Sequence, residues 1–375
     1  MTRKILYITS TASKWGSEES LFLLVKNLPI ERYVPYVMTT PGPFQKKLEN
    51  SNIANEIFTS YTLNKINIIK FTFLVLRLAF FIKTGGFSLV HSNDVHSSQY
   101  TILAARIAGV PSIAHVRSPG LADWLKPLNV NIIKSSSKVV AISTSVRDEL
   151  QTHGLSKKKI VLIHNAVDIS NFHKLIVRCD NKSEKIKRTK ELTVGVIGRI
   201  TPQKGHEFFI RSIPEILCSW PSARFVIVGD AYPTESDYIQ KLKQEVMRLE
   251  LVNHVFFEGY KTEIPKIMNS LDVLVVPSLM EPFGRVAIEA MAAKTPVVAS
   301  AVGGLTDIIR DGYNGLLVPP TNSNAIAGAV IRLLTDNQLY ASIIKNGRSV
   351  IEKKYTVQIQ IKKIEKLYDN LINPT

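Results

Sequence analysis

The sequence predicts an α/β protein built from two doubly wound domains, each a parallel sheet covered by helices. Three observations carry this. The chain has 375 residues, more than one hydrophobic core usually serves. Short Val/Ile/Leu-rich runs alternate with helix-length segments from end to end. Most of those runs are continuously apolar rather than alternating, as suits strands buried on both faces.

In the first half the strand candidates are Ile5–Ile8, Val34–Met38, Ser88–His91, Ser112–Val116, Val139–Ile142 and Ile160–Ile163. In the second they are Thr193–Ile197, Arg224–Val228, Val255–Phe257, Val273–Val276, Val297–Ala299 and Leu316–Val318. Helix-length segments between them include Glu18–Asn27, Gln99–Ala108, Ser145–His153, Glu207–Cys218 and Asp237–Leu249. The longest apolar stretch, Phe71–Ile82, is interrupted by Arg77 and flanked by Lys70 and Lys83. It is shorter than the ~20 residues a helix needs to cross a bilayer core. A buried or half-buried helix is the plain expectation, and the basic flanks keep a membrane-surface helix as the alternative. Residues 173–191 lose the strand pattern and become charge-dense, which marks a linker between a domain at 1–172 and another at 192–355. A lysine-rich amphipathic helix closes the chain at 356–375. In such a protein, ligands are expected in the cleft at the carboxyl ends of the strands.

The net charge is +16, and residues 1–170 carry +10 of it. A basic half attracts anionic lipid headgroups, acidic substrates or nucleic acid. No aromatic-studded basic stripe or recognisable nucleic-acid motif occurs, so a membrane surface or an anionic ligand is expected and nucleic acid is not. Cys179 and Cys218 are isolated, which excludes a disulfide framework or zinc site and suits a reducing cytoplasm. The opening MTRKILYITS lacks the apolar stretch of a signal peptide.

Three segments carry candidate chemistry. After strand Val273–Val276 comes PSLMEPFGRVAIEAMA, a loop running into a helix that starts near Gly284. A helix N-terminus offers free N–H groups and positive potential, so Phe283, Gly284, Arg285 and Val286 are placed to receive an anion. Gly284 is expected to let a ligand approach without a Cβ. Glu281 and Glu289 beside an anion site suit sugar and ribose hydroxyls better than phosphate. For Glu289, an ordinary i, i+4 pair with Arg285 is the competing account. The second segment, GRITPQKG, places Arg199 and Lys204 between Gly198 and Gly205 at a strand's carboxyl end, where they could neutralise a diphosphate. The Walker A spacing is absent, and no G-x-G-x-x-G follows the first strand. The third segment is WGSEE, where Gly16 could bring backbone N–H groups near a ligand. His91 and His115 end strand-like runs facing the same cleft; a structural role is the plain expectation for His91.

Taken together, these segments resemble the family 4 glycosyltransferases, retaining enzymes of the GT-B architecture in which two Rossmann-like domains face across a cleft. EPFGRVAIEAMA is similar to the family's E-x7-E motif, with Glu281 and Glu289 as its two glutamates. GRITPQKG is similar to its Gly-Arg…Lys-Gly segment, and AISTSVRDEL with IHNAVD to the end of its first domain. AKTPVVASAVGGLTDIIRDGYNGLLVPP is similar to the stretch after the second glutamate. The double glycine usual before the first helix is Trp15-Gly16 here, and the usual Asn-Gly-Val-Asp is Asn165-Ala166-Val167-Asp168.

The resemblance implies a nucleotide-sugar donor, a UDP- or GDP-sugar, and a glycan or lipid-linked acceptor. It implies that Arg199 and Lys204 neutralise the departing diphosphate, Glu281 holds the transferred sugar and Glu289 the ribose. It also implies that Gly16, Gly198 and the Phe283–Val286 backbone cradle the donor, that His115 contacts the sugar, and that the closing helix packs back towards the first domain. No Asp-x-Asp motif occurs, so no metal or other cofactor is expected, and retention by same-face attack calls for no carboxylate nucleophile. The expected setting is the cytoplasm at the inner membrane face, in surface-polysaccharide or glycolipid synthesis. A non-catalytic binding subunit or a sugar-nucleotide epimerase on the same architecture are the rivals.

Overall fold

The computed structural model describes residues 2–13, 16–60, 68–117, 127–172, 192–232 and 235–373. The expected linker at 173–191 lies outside them. The chain forms two compact units, Met1–Ala166 together with Val357–Thr375, and Val167–Thr356.

The first unit holds seven strands: β1 (Arg3–Ile8), β2 (Tyr33–Thr39), β3 (Asn55–Ile57), β4 (Phe87–Ser92), β5 (Ser112–Val116), β6 (Lys138–Ala141) and β7 (Ile160–Leu162). They pair in parallel in the order β3-β2-β1-β4-β5-β6-β7. Helices α1 (Gly16–Lys26), α2 (Pro43–Glu49), α3 (Ile68–Thr84), α4 (Val95–Ala108), α5 (Pro127–Ser135) and α6 (Thr144–Thr152) connect them. Ile5, Leu6, Tyr7 and Ile8 of β1 are all fully buried, which is why that run reads as unbroken apolar sequence. Asp94 caps α4 in a capping box with Ser97 and also accepts the Ser10 N–H at 2.9 Å and hydroxyl at 2.8 Å. One carboxylate thus fixes the loop after β1 against the start of α4. β3 and α2 had no counterpart in the sequence expectations.

The second unit has β8 (Thr193–Ile197), β9 (Arg224–Val228), β10 (Val255–Gly259), β11 (Val273–Val276), β12 (Val297–Ser300) and β13 (Leu316–Val318). Their order is β10-β9-β8-β11-β12-β13, again parallel. Helices α7 (His206–Ser219), α8 (Ser236–Arg248), α9 (Ile264–Ser270), α10 (Arg285–Ala292), α11 (Leu305–Ile308), α12 (Ser323–Thr335) and α13 (Asn337–Lys354) follow. Ile210 and Ile213 of α7 share a buried cluster with Val194 and Phe225 of the sheet and Val330 and Leu333 of α12.

The chain then returns to the first unit as α14 (Val357–Ile372). Its buried stripe, Val357, Ile361, Ile364 and Tyr368, has helical spacing and joins Ile5, Tyr7, Leu21 and Leu24 in one core. Each such aliphatic side chain contributes roughly 1.5–3 kcal/mol when fully buried. Arg32 fixes the rim through Glu365 at 2.6 Å and Asp369 at 2.8 Å.

In both sheets the strand order reverses, between β1 and β4 and between β8 and β11. The carboxyl ends of those strands are where a doubly wound sheet leaves an open crevice.

Candidate active site

In the second unit the two loops at the reversal point touch. After β8 runs Gly198–Gly205, and after β11 runs Pro277–Gly284. The Leu279 N–H donates to the Gln203 carbonyl at 2.9 Å. Gly205, at φ 67°, makes the approach possible: a Cβ there would lie 2.0 Å from the Pro277 carbonyl oxygen. The contact brings Lys204 Nζ to Glu281 Oε2 at 2.5 Å, and the Ser278 hydroxyl donates to the same oxygen at 3.3 Å. Glu281 is buried while Lys204 is partly exposed.

Gly198, Lys204, Glu281 and Val286 line one pocket together with His206 and Ser278. Its cavity volume, about 20 Å³, lies far below the ~300–1,000 Å³ usual for whole small-molecule ligands. A space of that size holds little more than a water-sized group, so it is a notch between the two loops and not a complete ligand pocket. Burial and the neighbouring Lys204 charge pull His206 down to about 4, so this imidazole stays neutral in the pocket wall.

The other candidate residues of this half do not line that pocket. Arg199 stacks on Tyr232 at 4.8 Å, and its buried Nε–H has no hydrogen-bond partner among the described residues. Phe283 turns its ring inward onto Tyr355, 5.9 Å between centroids, leaving only its backbone towards the loop. Gly284 caps α10 at φ 102°, and a Cβ would meet Leu305 Cδ2 at 2.6 Å. The packing of α11 is thus one reason for a glycine here, beside the ligand approach expected from the sequence. Arg285 and Glu289 form an i, i+4 ion pair at 2.7 Å. The first turn of α10 carries the helix's positive end, and within it the Ala287 N–H donates to the Gly284 carbonyl at 3.0 Å.

Sequence reasoning gave no role to Gly303 and Gly304. The Gly304 N–H donates to the Glu281 carbonyl at 2.9 Å, and a Cβ on Gly303 would lie 2.1 Å from that oxygen. The pair seats Glu281 from behind. Its only signal in the sequence was the double glycine after β12.

In the first unit Gly16 opens α1 and is exposed. His91 and His115 lie side by side in β4 and β5, both buried, with His91 Nε2 3.1 Å from His115 Nδ1. Burial first, and then the Arg117 charge, holds both imidazoles well below the usual histidine range. His115 Nε2 is buried without a partner among the described residues. Within these residues no group of three or more His, Cys, Asp or Glu side chains is placed to hold a metal ion.

Two doubly wound units in one chain, the second with a cation, a carboxylate and a helix N-terminus at its strand reversal, define the GT-B class of glycosyltransferase fold. Comparison with known proteins agrees. The chain belongs to the glycosyltransferase family described as Glycosyltransferase Family 4 over residues 16–171 and as Glycosyl transferases group 1 over residues 178–350. It is 26% identical over 365 residues, 92% of this chain and 91% of the other, to the UDP-Gal:alpha-D-GlcNAc-diphosphoundecaprenol alpha-1,3-galactosyltransferase of Escherichia coli. An uncharacterized glycosyltransferase of Methanocaldococcus jannaschii is 35% identical over 233 residues, 59% of this chain and 57% of that protein. Among solved structures, Anabaena HepE in complex with UDP and glucose superposes with a TM-score of 0.82 at 25% identity, covering 98% of this chain and 100% of that one.

Proposed function

We propose that the protein is a retaining glycosyltransferase that moves a sugar from a nucleotide-diphosphate sugar to an acceptor hydroxyl in surface-polysaccharide or glycolipid synthesis. The observation that carries this is the Lys204–Glu281 pair, a cation and a carboxylate brought together at the strand reversal. Lys204, Arg199 and the α10 N–H groups offset the charge that develops on the departing diphosphate, so the site's own groups supply the electrostatic stabilisation without a metal. Glu281 accepts hydrogen bonds from the transferred sugar, and Glu289 from the ribose. His115 offers a hydrogen bond to a sugar hydroxyl, and Gly16 and Gly198 put no side chain in the way of a phosphate. As the acceptor oxygen bonds to the anomeric carbon, the bond to the phosphate oxygen breaks, and that oxygen takes the acceptor's proton.

HepE was solved with UDP and glucose, and the E. coli relative is named for UDP-Gal and a lipid-diphosphate acceptor. Both favour a UDP-sugar over a GDP-sugar, and a lipid-linked glycan as acceptor. Thermal shifts with UDP-glucose, UDP-galactose and GDP-mannose test the donor, since a ligand at ~100 times its Kd stabilises by about 2.7 kcal/mol. Free UDP is then expected only when acceptor is added. Stabilisation by none of the three, or UDP release indifferent to acceptor, would sink the proposal.

A peripheral membrane contact at the cytoplasmic face fits α3. No helix among the described residues is long and apolar enough to cross a membrane. Phe71, Val75, Leu78 and Ile82 of α3 are buried, whereas Ile69 (82%), Phe73 (68%), Leu76 (55%) and Phe80 (71%) stand exposed along its other face. Lys70, Arg77 and Lys83 border that stripe, and the helix carries no acid. An apolar strip rimmed by cations matches an anionic lipid surface. With vesicles containing phosphatidylglycerol, the protein is expected to co-sediment. The Phe73→Asp/Phe80→Asp variant should lose this at least tenfold with unchanged melting temperature, each buried phenyl being worth roughly 1.5–3 kcal/mol. Wild-type protein remaining in the supernatant would refute the contact.

A further inference from the structure

The hydrogen-bond donors around the buried histidines allow a single proton arrangement. We infer that Arg117, His91, Tyr368 and Tyr7 act as positioning residues that lock His115 in the tautomer protonated at Nε2. The site would thereby present a fixed N–H donor to an oxygen of its ligand.

The deduction starts at Arg117. Its Nε–H donates to Asn93 Oδ1 at 2.8 Å and its Nη1 to Asn165 Oδ1 at 2.6 Å, which fixes the guanidinium plane. Its Nη2 lies 3.3 Å from His115 Nδ1. Guanidinium nitrogens only donate, so His115 Nδ1 accepts and carries no proton. A neutral imidazole with Nδ1 bare is protonated at Nε2. His91 Nε2, 3.1 Å from the same Nδ1, must then be its protonated nitrogen, because two bare nitrogens would repel there. His91 Nδ1 is consequently an acceptor, and the Tyr368 hydroxyl at 2.7 Å donates to it. Tyr368 has one proton and has spent it, so the Tyr7 hydroxyl at 2.7 Å donates to Tyr368.

The chain runs one way: Tyr7 to Tyr368 to His91 to His115. The burial that keeps both imidazoles neutral is consistent with this order. It ends on the one buried imidazole nitrogen of the relay that has no partner among the described residues, His115 Nε2. A buried donor without an acceptor is a vacancy for a hydroxyl or phosphate oxygen. Tyr368 comes from α14, so the last helix of the chain sets a proton in the fold's first sheet.

The assignment of a ligand to that N–H rests on the function proposed above, whereas the relay itself does not. Long-range proton–nitrogen spectra of protein with 15N-labelled histidine, assigned with His91→Gln and His115→Gln, should show both residues protonated at Nε2 from pH 5.5 to 8. His115 protonated at Nδ1, or either ring titrating near pH 6.5, would overturn the relay. In Tyr368→Phe, His91 keeps the Nε2 proton that His115 Nδ1 requires, but its Nδ1 loses its donor and the Nδ1 resonance should shift. The rate kcat/KM should fall about tenfold, the usual effect of one neutral hydrogen bond. Unchanged spectra in this variant would also overturn the relay. Titration with UDP-glucose should then move the His115 Nε2 signal. A signal unmoved by UDP-glucose, with the tautomers as assigned, would uphold the relay and remove the donor contact.

Discussion

Replacing Lys204 by alanine should lower kcat/KM for glycosyl transfer by about 10²–10³ and leave a folded protein. Lys204 is the cation of the pocket that lines up with Glu281, Gly198 and Val286. Its ammonium is a compact charge with three donors, suited to the oxygens of a leaving diphosphate, where a charge-assisted bond is worth roughly 1.5–3 kcal/mol. The deletion also strips Glu281 of its ion-pair partner, leaving the Ser278 hydroxyl on Oε2. Some loss of melting temperature is therefore expected alongside the kinetic loss. Lys204→Arg separates the two, because it restores charge but not the point geometry. It should recover stability and only part of the rate. Lys204→Ala with full activity would overturn the assigned role.

The Glu281→Gln variant should behave differently. It retains shape and hydrogen-bonding capacity but removes a negative charge that sits 2.5 Å from the cation meant for phosphate. Ground-state binding of UDP, measured by calorimetry, should hold or tighten, since a carboxylate repels a diphosphate. The rate should fall about 10²-fold, because the charge is proposed to serve the sugar as its anomeric carbon becomes positive. This split between affinity and kcat distinguishes a reacting-centre role from simple binding. Weakened UDP binding with unchanged kcat would place Glu281 outside the chemistry.

Much of the fold was legible because its strands are buried on both faces. Runs such as Val273–Val276 and Val297–Ser300 have no polar side to obscure them. β3 escaped notice because Asn55-Glu56-Ile57 is a short, half-exposed edge strand with no apolar run. α2 escaped because Phe44 and Leu48 are the only residues it buries. The site was legible as segments and not as contacts. Lys204 and Glu281 are 77 positions apart, and nothing in either segment announces that Gly205 lets their loops close up. His91 and Tyr368 are 277 positions apart, and His91 therefore looked like a core residue. Gly284 has a second reason that its own segment does not announce: Leu305, from the helix after β12, leaves no space for a Cβ.

The return of α14 to the first unit also bears on biosynthesis. The core around Tyr7, Leu21 and Leu24 lacks Val357, Ile361, Ile364 and Tyr368 until the final stretch of chain has been made. Residues 167–356 form their own unit and are synthesised before that. At ~5–20 residues per second, the first-made domain waits roughly 10–40 s with an apolar face uncovered while the second is synthesised. A nascent chain stalled before residue 357 thus contains every residue of the second unit while its first still lacks α14.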